Sequence, residues 1–350
     1  DYLFGFYDYW TSLWDEIAYN APYYLIMKSA GNDRNDSGTG THHHGSSETE
    51  YTDSHDADGS YDCIGQRGIA KNVLTVGAVN DIAGGYTTPG DVVQTSFSSW
   101  GPADDGRIKP DIVANGAGLY SCSSSSTTSY GSKSGTSMSS PSTTGSLLLL
   151  QEHYNDLNPG SYMRSATLKG LVIHTADEAG TNDGPDYQNG WGMLNTQTAA
   201  QVISGSGVST IIDERSLSNG ASYSFLVEAS GAEPLRVTIS WTDPVGTPVA
   251  ASLDPTDKML VNDLDLRVIR NATTHYPWRL DVNNPANAAT KADNDVDNVE
   301  HLIIDAPVAG TYTISINHKG SIGGSQNYSI IVSGVVQQGP IAQFNHSDTT

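Results

Sequence analysis

Helix-like and strand-like patterns alternate through the first part of the chain. Apolar side chains recur at helical spacing over residues 9–19, which predicts a helix, and Pro22 ends it. Residues 23–27 predict a buried strand that leads into Ser29-Ala30-Gly31-Asn32. A polar loop at the carboxyl end of a strand is the usual place for a site on a parallel sheet, so we expect function at this loop.

The same kind of pattern continues as far as residue 205. Strands are predicted at residues 73–79 and 112–114, a polar loop at 121–134, and helices at 161–175 and 198–203. The small residues Gly205-Ser206-Gly207 then predict a linker.

Beyond this linker the pattern changes to short β-rich runs separated by Gly, Pro, Asn and Asp. The runs are residues 223–227, 235–241, 264–269, 301–304, 312–316 and 328–332. Several of them alternate in polarity. Regular short strands with turn signals between them predict an antiparallel sandwich, so the chain has two parts with different architectures.

One stretch of the first part combines features suited to chemistry. Gly135-Thr136-Ser137-Met138-Ser139-Ser140-Pro141 leads into an apolar helix, and Pro141 suits its first turn. Four leucines at 147–150 predict that this helix is buried all round. A serine at a helix N-terminus lies where free N–H groups and the helix dipole favour an oxyanion. The simpler alternative is a helix-capping serine in a serine-rich loop.

Several strings, in order, resemble those of the subtilisin-like serine proteases. The nucleophile motif is matched at residues 135–141 and the oxyanion-hole segment at 29–32. Further family strings are matched at 71–78, 96–102, 109–112 and 190–195. In the second part, residues 240–244, 260–266 and 309–314 resemble the β-barrel domain appended to a high-molecular-weight branch of the family. The resemblance covers nearly the whole chain.

The resemblance implies a fold, a domain division and a set of site residues. Residues 1–205 are implied to form an α/β domain that has a parallel sheet flanked by helices and is incomplete at its N-terminus. An antiparallel β-sandwich or jelly-roll domain follows at 206–335, and a polar tail or linker at 336–350. The resemblance also implies that Ser137 is the nucleophile and Asn32 the oxyanion donor, with peptide or protein as substrate. The substrate pocket is implied to be built from Ser29, Ala30, Gly31 and the loop 61–68 that contains Gly65.

The family's catalytic aspartate and histidine have no match in this sequence. In the family they precede the asparagine, which is matched here by Asn32, close to the first residue. None of the ten histidines occupies a position that the family pattern would accept: His42, His43, His44, His55, His153, His174, His275, His301, His318 and His346. We therefore expect the chain alone to be inactive and a separate N-terminal segment to supply both residues.

Three functions remain open at this point. The first is a secreted endopeptidase of which this chain is the C-terminal portion. The second is a non-catalytic binding protein that kept the fold, and the third is an adhesion or carbohydrate-binding sandwich with a serine-rich support domain. The joint retention of Asn32 and Ser137 favours the first, because a protein without catalysis has no need of either.

The net charge of the chain bears on which classes of binding partner are suitable. Lys and Arg number 17 against 39 Asp and Glu, so the net charge is −22. Such a chain is a poor candidate for binding nucleic acid or an anionic membrane, and a good one for binding cations and for an extracellular location. No apolar run is long enough to span a bilayer. Cys63 and Cys122 could pair in a secreted protein, which the sequence leaves open.

Acidic residues of the second part suggest calcium. Asp263 and Asp265 alternate along one predicted strand and so share a face, while Asp297 and Glu300 belong to a crowded acidic loop and the strand after it. These oxygens suit Ca²⁺, and a solvated acidic loop is the alternative. The polar loop at residues 33–62 carries two weaker candidates for metal ligands. One is an acidic group, Asp53, Asp56, Asp58 and Asp62, and the other is the run of histidines at 42–44, which a solvated loop also explains.

Overall fold

The computed structural model describes residues 2–34 and 60–336. Its helices are α1 (Tyr9–Asn20), α2 (Thr136–Leu157), α3 (Ser165–His174) and α4 (Thr196–Ser204). Its strands are β1 (Met27–Ser29), β2 (Leu74–Val79), β3 (Ile112–Asn115), β4 (Leu119–Cys122), β5 (Tyr130–Lys133), β6 (Ile211–Ser218), β7 (Tyr223–Ala229), β8 (Leu235–Trp241), β9 (Leu264–Arg270), β10 (Thr273–His275), β11 (Trp278–Arg279), β12 (Thr290–Lys291), β13 (Val299–Ile304), β14 (Gly310–His318) and β15 (Ser325–Ser333).

The first unit is built on a parallel sheet of strand order β1-β2-β3. Every residue of β2 is buried, as expected for the centre of a sheet covered on both faces. Helix α2 packs against all three strands and against α4. The predicted arrangement, a parallel sheet flanked by helices, is therefore confirmed.

The second unit consists mainly of two four-stranded antiparallel sheets. Their strand orders are β10-β9-β14-β7 and β13-β8-β15-β6. Side chains of β7 alternate between buried and exposed, because one face of each strand points into the core between the sheets. Phe225, Val237, Leu266, Ile314 and Ile330 are among the residues of that core. The predicted antiparallel sandwich is confirmed.

Helix α3 joins the two units. All ten of its residues are buried, and it packs against β8 and β15 of the second unit. A Cβ atom on Gly170 would lie 2.9 Å from the Cβ of Ser240, so a glycine lets the helix approach the sheet closely. Lys71 of the first unit pairs with Asp243 of the second, and both side chains are fully buried. The interface therefore has the character of a protein interior.

Four local expectations are wrong. The strand predicted at 23–27 begins only at Met27, and Tyr23 and Tyr24 are 59% and 57% exposed. Helix α2 starts before Pro141, which is its sixth residue. The helix is not buried all round, since Leu148 and Leu149 are 66% and 62% exposed. The loop predicted at 121–134 overlaps the hairpin formed by β4 and β5. In addition, β6 lies outside every predicted run.

Helix α1 has an unexpected orientation. Its buried residues are Thr11, Ser12, Asp15 and Ala18, whereas Tyr9, Trp10 and Ile17 are more than half exposed. The Asp15 carboxylate explains this, because it accepts hydrogen bonds from the backbone N–H groups of Lys71 and Asn72. No helix in the described ranges has both the length and the apolar character needed to cross a bilayer.

Candidate active site

Ser137 is the second residue of α2. Its side chain is exposed, although Thr136 before it and Ser139 after it are buried. Gly135 precedes the helix with a φ of 149°, a conformation that favours glycine. Its N–H donates to Gly116 O at 2.8 Å, which fixes the entry of the chain into the helix. The hydroxyl of Ser137 is thus presented to solvent at the positive end of a 22-residue helix.

Asn32 lies against the same helix start. Its Oδ1 accepts hydrogen bonds from Thr136 N at 2.9 Å and from Thr136 Oγ1 at 3.0 Å. Thr136 Oγ1 also accepts from Gly31 N at 3.3 Å, so the loop after β1 is held to the first turn of α2 at three points. The structure therefore brings the two predicted catalytic residues together.

Two hydrogen-bond donors remain available beside this turn. Within the described residues, neither Asn32 Nδ2 nor Ser137 N donates to any group. The neighbouring donors are occupied, since Thr136 N bonds to Asn32 and Met138 N bonds to Gly135 O at 2.9 Å. The first N–H groups of a helix have no partner within the helix, so Ser137 N can serve a ligand. This arrangement can hold a negatively charged oxygen.

The predicted substrate-binding residues lie on the adjoining segments. Ala30 N donates to Val76 O at 3.0 Å, which continues the pairing of β1 beyond Ser29. Gly31 O accepts from Ser99 N at 3.0 Å, and the Ser99 hydroxyl accepts from Asp33 N at 3.0 Å. Ser99 therefore fixes the loop on both sides of Asn32.

Gly65 lies at the start of a short 3-10 helix, Gln66–Ile69, and is exposed. A Cβ atom at Gly65 would meet nothing within 4 Å, so the space beside it is open. A Cβ atom at Gly68 would lie 3.9 Å from Ala30 O, so the 3-10 helix adjoins the loop that carries Asn32. Whether these residues bind substrate stays a prediction.

Comparison with known proteins now adds to this geometry. A family model described as Subtilase family, peptidase S8, matches residues 8–192, more than half of the chain. The chain belongs to the subtilase family. The matched range contains both Asn32 and Ser137.

Curated relatives match this subtilase over parts of their length. The serine protease/ABC transporter B family proteins tagA and tagD of Dictyostelium discoideum are 25% and 28% identical over 289 and 324 residues, which cover 70% and 68% of this chain. The C5a peptidase of Streptococcus pyogenes serotype M18 is 36% identical over 112 residues, 30% of this chain. The chain spans only 16%, 17% and 9% of these three proteins.

Among solved structures, the self-cleaved protease domain of PatA is similar to this chain with a TM-score of 0.40, at 20% sequence identity and 58% coverage of both chains. The CspB protease of Clostridium perfringens has a TM-score of 0.34, at 25% identity over 42% of this chain and 30% of that one.

None of the five histidines in the described part of this subtilase bonds to Ser137. His153 contacts Ser204 at 2.8 Å, and His174 and His301 both bond to Thr238 between the two units. His318 accepts from Gly220 N at 2.7 Å, and His275 lies on β10. The histidines at 42–44, His55 and His346 lie outside the described residues, as do Asp53, Asp56 and Asp58 of the weaker calcium group.

The predicted metal residues are only partly assembled. Asp263 and Asp265 lie around the Lys319 ammonium at 3.4 and 2.9 Å, and Asp293 joins them at 2.7 Å. Asp265 also pairs with Arg267 at 3.0 Å. The sequence did not show that basic residues from β9 and from the end of β14 would reach these carboxylates.

The two other predicted metal ligands, Asp297 and Glu300, differ in their hydrogen bonding. Asp297 accepts a hydrogen bond from Ile108 N of the first unit at 2.8 Å and one from Asn294 Nδ2 of its own unit at 2.9 Å. Glu300 is fully buried beside β9, and its Oε1 accepts no hydrogen bond from the described residues. Burial raises the pKa of Glu300 well above its usual value. Calcium at Asp263, Asp265, Asp297 and Glu300 stays a prediction.

Sequence reasoning did not single out two residues that build the site. Thr136 connects the asparagine loop to the helix, and Ser99 holds the loop from the other side. Both lie inside strings that carry the family resemblance, at 135–141 and 96–102, and that was the available signal. The two cysteines are not joined by a disulfide: Cys63 is buried and accepts from Trp100 N at 3.1 Å, and Cys122 is exposed.

Proposed function

We propose that this chain is the part of a serine endopeptidase that supplies the nucleophile and the oxyanion hole. The observation that carries the proposal is the pair of available donors, Asn32 Nδ2 and Ser137 N, at the turn that presents the Ser137 hydroxyl. Protein and peptide chains are the proposed substrates. The acidic composition supports a secreted enzyme.

In the proposed reaction, Ser137 Oγ attacks the carbonyl carbon of the scissile peptide bond, and its proton passes to a histidine. The carbonyl oxygen becomes an oxyanion that accepts hydrogen bonds from Asn32 Nδ2 and Ser137 N. The carbon–nitrogen bond then breaks, the amine leaves with the proton from the histidine, and an acyl-enzyme remains on Ser137. Water attacks the acyl group and regenerates the serine.

The proposal requires a base from outside the described residues. We propose that a segment preceding this chain in the parent protein supplies the histidine and the aspartate, as the order of residues in the family implies. Apolar surface supports this, because Leu148 and Leu149 of α2 and Tyr23 beside β1 are more than half exposed. The outer edge of β1 is also unpaired among the described strands, and a further strand would cover it.

Hydrolysis of a fluorogenic peptide library tests the proposal. The purified chain should show no turnover above that of its Ser137→Ala variant, whereas the chain assembled with the preceding segment should turn over peptides. Replacing Ser137 by alanine in the assembly should abolish that turnover, and Ser142→Ala, a change at an exposed serine of the same helix, should not. An assembly that folds but cleaves nothing would favour the non-catalytic binding protein instead.

A further inference from the structure

Three carboxylates from distant parts of the chain meet beside the junction of the two units. They belong to Asp62, Asp104 and Asp254, and one oxygen of each lies within 4.8 Å of the others. Asp62 lies in the segment that leads to Gly65, Asp104 follows the string at 96–102, and Asp254 belongs to the second unit. The fold therefore concentrates negative charge at a place where three segments join.

Among the described residues, no basic side chain forms an ion pair with Asp104. Its side chain is only 6% exposed, and neither of its carboxylate oxygens accepts a hydrogen bond from the part of the chain that the structure describes. The nearby Arg107 directs its Nε to the two oxygens of Asp105, at 2.8 and 2.9 Å, and forms no hydrogen bond to either oxygen of Asp104. A buried carboxylate without a partner is costly, so a ligand that neutralises Asp104 would stabilise the fold.

The surroundings of Asp104 make its negative charge more costly. The side chain is buried, and Asp62 and Asp254 place further carboxylates beside it. A cation among these carboxylates would offset that repulsion. Asp254 is exposed, so the cluster is open to solutes on that side.

We propose that Asp62, Asp104 and Asp254 bind a calcium ion that joins the second unit to the segment leading into Gly65. The ligands are all oxygens, which suits a hard cation such as Ca²⁺ better than the metals that select nitrogen or sulfur. Two ligands that are each 2.3–2.6 Å from one Ca²⁺ can be up to about 5 Å apart. The spacing of the three oxygens, within 4.8 Å, satisfies that limit. Backbone carbonyls or waters would complete the coordination.

The N-terminal segment closes the cluster on one side. Gly5, at a φ of 64°, donates to Ile64 O and accepts from Asp104 N, at 3.0 and 3.1 Å. A Cβ atom on Gly5 would lie 1.9 Å from an oxygen of Asp104 and 2.3 Å from one of Asp62. Only a residue without a side chain therefore fits at this position beside the two carboxylates. The proposed ion would therefore also anchor the segment that precedes α1.

Calcium titration of the full chain tests the proposal without any measurement of proteolysis. The chain is freed of metal with EDTA, dialysed, and titrated with CaCl₂ in a calorimeter, and bound calcium is counted by equilibrium dialysis. We expect Asp254→Asn and Asp104→Asn to weaken one site by at least about tenfold, because each removes a charged ligand. Asp257→Asn is the matched control, an exposed aspartate of the same loop.

A fourth variant, Asp263→Asn, separates this site from the carboxylates that surround Lys319. The proposed site should persist in Asp263→Asn. If Asp104→Asn fails to fold, Asp254→Asn still decides, since Asp254 is exposed. A wild-type chain that binds no calcium at millimolar concentration would overturn the proposal. Calcium binding that survives Asp254→Asn unchanged would overturn it as well.

Discussion

Two substitutions of Asn32 separate catalysis from structure. The side chain has two functions at different atoms: Oδ1 accepts from Thr136, and Nδ2 is available to an oxyanion. Asn32→Ala removes both functions. Asn32→Asp keeps an oxygen that can accept from Thr136 but replaces the donor with a second, negatively charged oxygen.

The magnitudes follow from these contacts. Loss of one oxyanion donor lowers turnover by about 10²–10³, or roughly 3–4 kcal/mol in the activation free energy. Asn32→Asp should lower turnover at least as much, because it adds negative charge where negative charge develops. Asn32→Ala should also lower the free energy of unfolding by about 1–3 kcal/mol, since Thr136 is 1% exposed and its N–H loses its acceptor. Asn32→Asp should unfold nearly as the wild type does.

The assay combines kcat and KM on a peptide substrate with urea unfolding, both on the chain assembled with its preceding segment. We expect kcat to fall in both variants with little change in KM, and stability to fall only in Asn32→Ala. A kcat that is unchanged in Asn32→Asp would refute the oxyanion role. Equal destabilisation of both variants would show that Oδ1 does not hold Thr136 in the manner described.

Two further predictions concern the junction of the units. Lys71→Met should lower the free energy of unfolding by about 3–5 kcal/mol, because it leaves Asp243 buried without its partner. Lys258→Met, at a half-exposed ion pair, should lower it by less than about 1 kcal/mol. Urea unfolding of both variants tests this, and equal losses of stability would contradict it. Burial lowers the pKa of His174 well below its usual value, so the native state stays neutral while the unfolded chain gains a proton below about pH 6.5. This contribution to stability is thus complete above that pH and is lost progressively as the pH falls below it. His174→Gln should reduce this slope in urea unfolding without abolishing it, because burial also lowers the pKa of the neighbouring His301, to about 3. The half-buried control His153→Gln should leave the slope unchanged.

The sequence was informative where a local pattern and the fold agree. The apolar residues of β2 predicted a strand within one residue of its observed start, and the strand β8 was predicted at its observed bounds. Asn32 and Ser137, which the motifs singled out, lie at the same helix end, and their catalytic roles stay predictions. These features depend on short stretches of chain that carry their own signal.

Predictions failed where tertiary contacts decide the outcome. Asp15 turns the polar face of α1 inward because it binds two backbone N–H groups distant in sequence, and no periodicity shows this. Lys319 pairs with Asp263 and Asp265 although it is more than fifty residues away from them in the sequence. The meeting of Asp62 with Asp104 likewise arises only from the fold. Such contacts join residues whose spacing in the sequence carries no pattern.

Covalent labelling of Ser137 tests the central claim most directly. A fluorophosphonate reacts only with an activated serine, and peptide mass mapping identifies the residue that carries it. We predict a single adduct at Ser137 when the chain is assembled with its preceding segment, no adduct in Ser137→Ala, and an unchanged adduct in Ser142→Ala. An assembly that hydrolyses peptides but carries its adduct at another serine, or none, would contradict the assignment of Ser137 as the nucleophile.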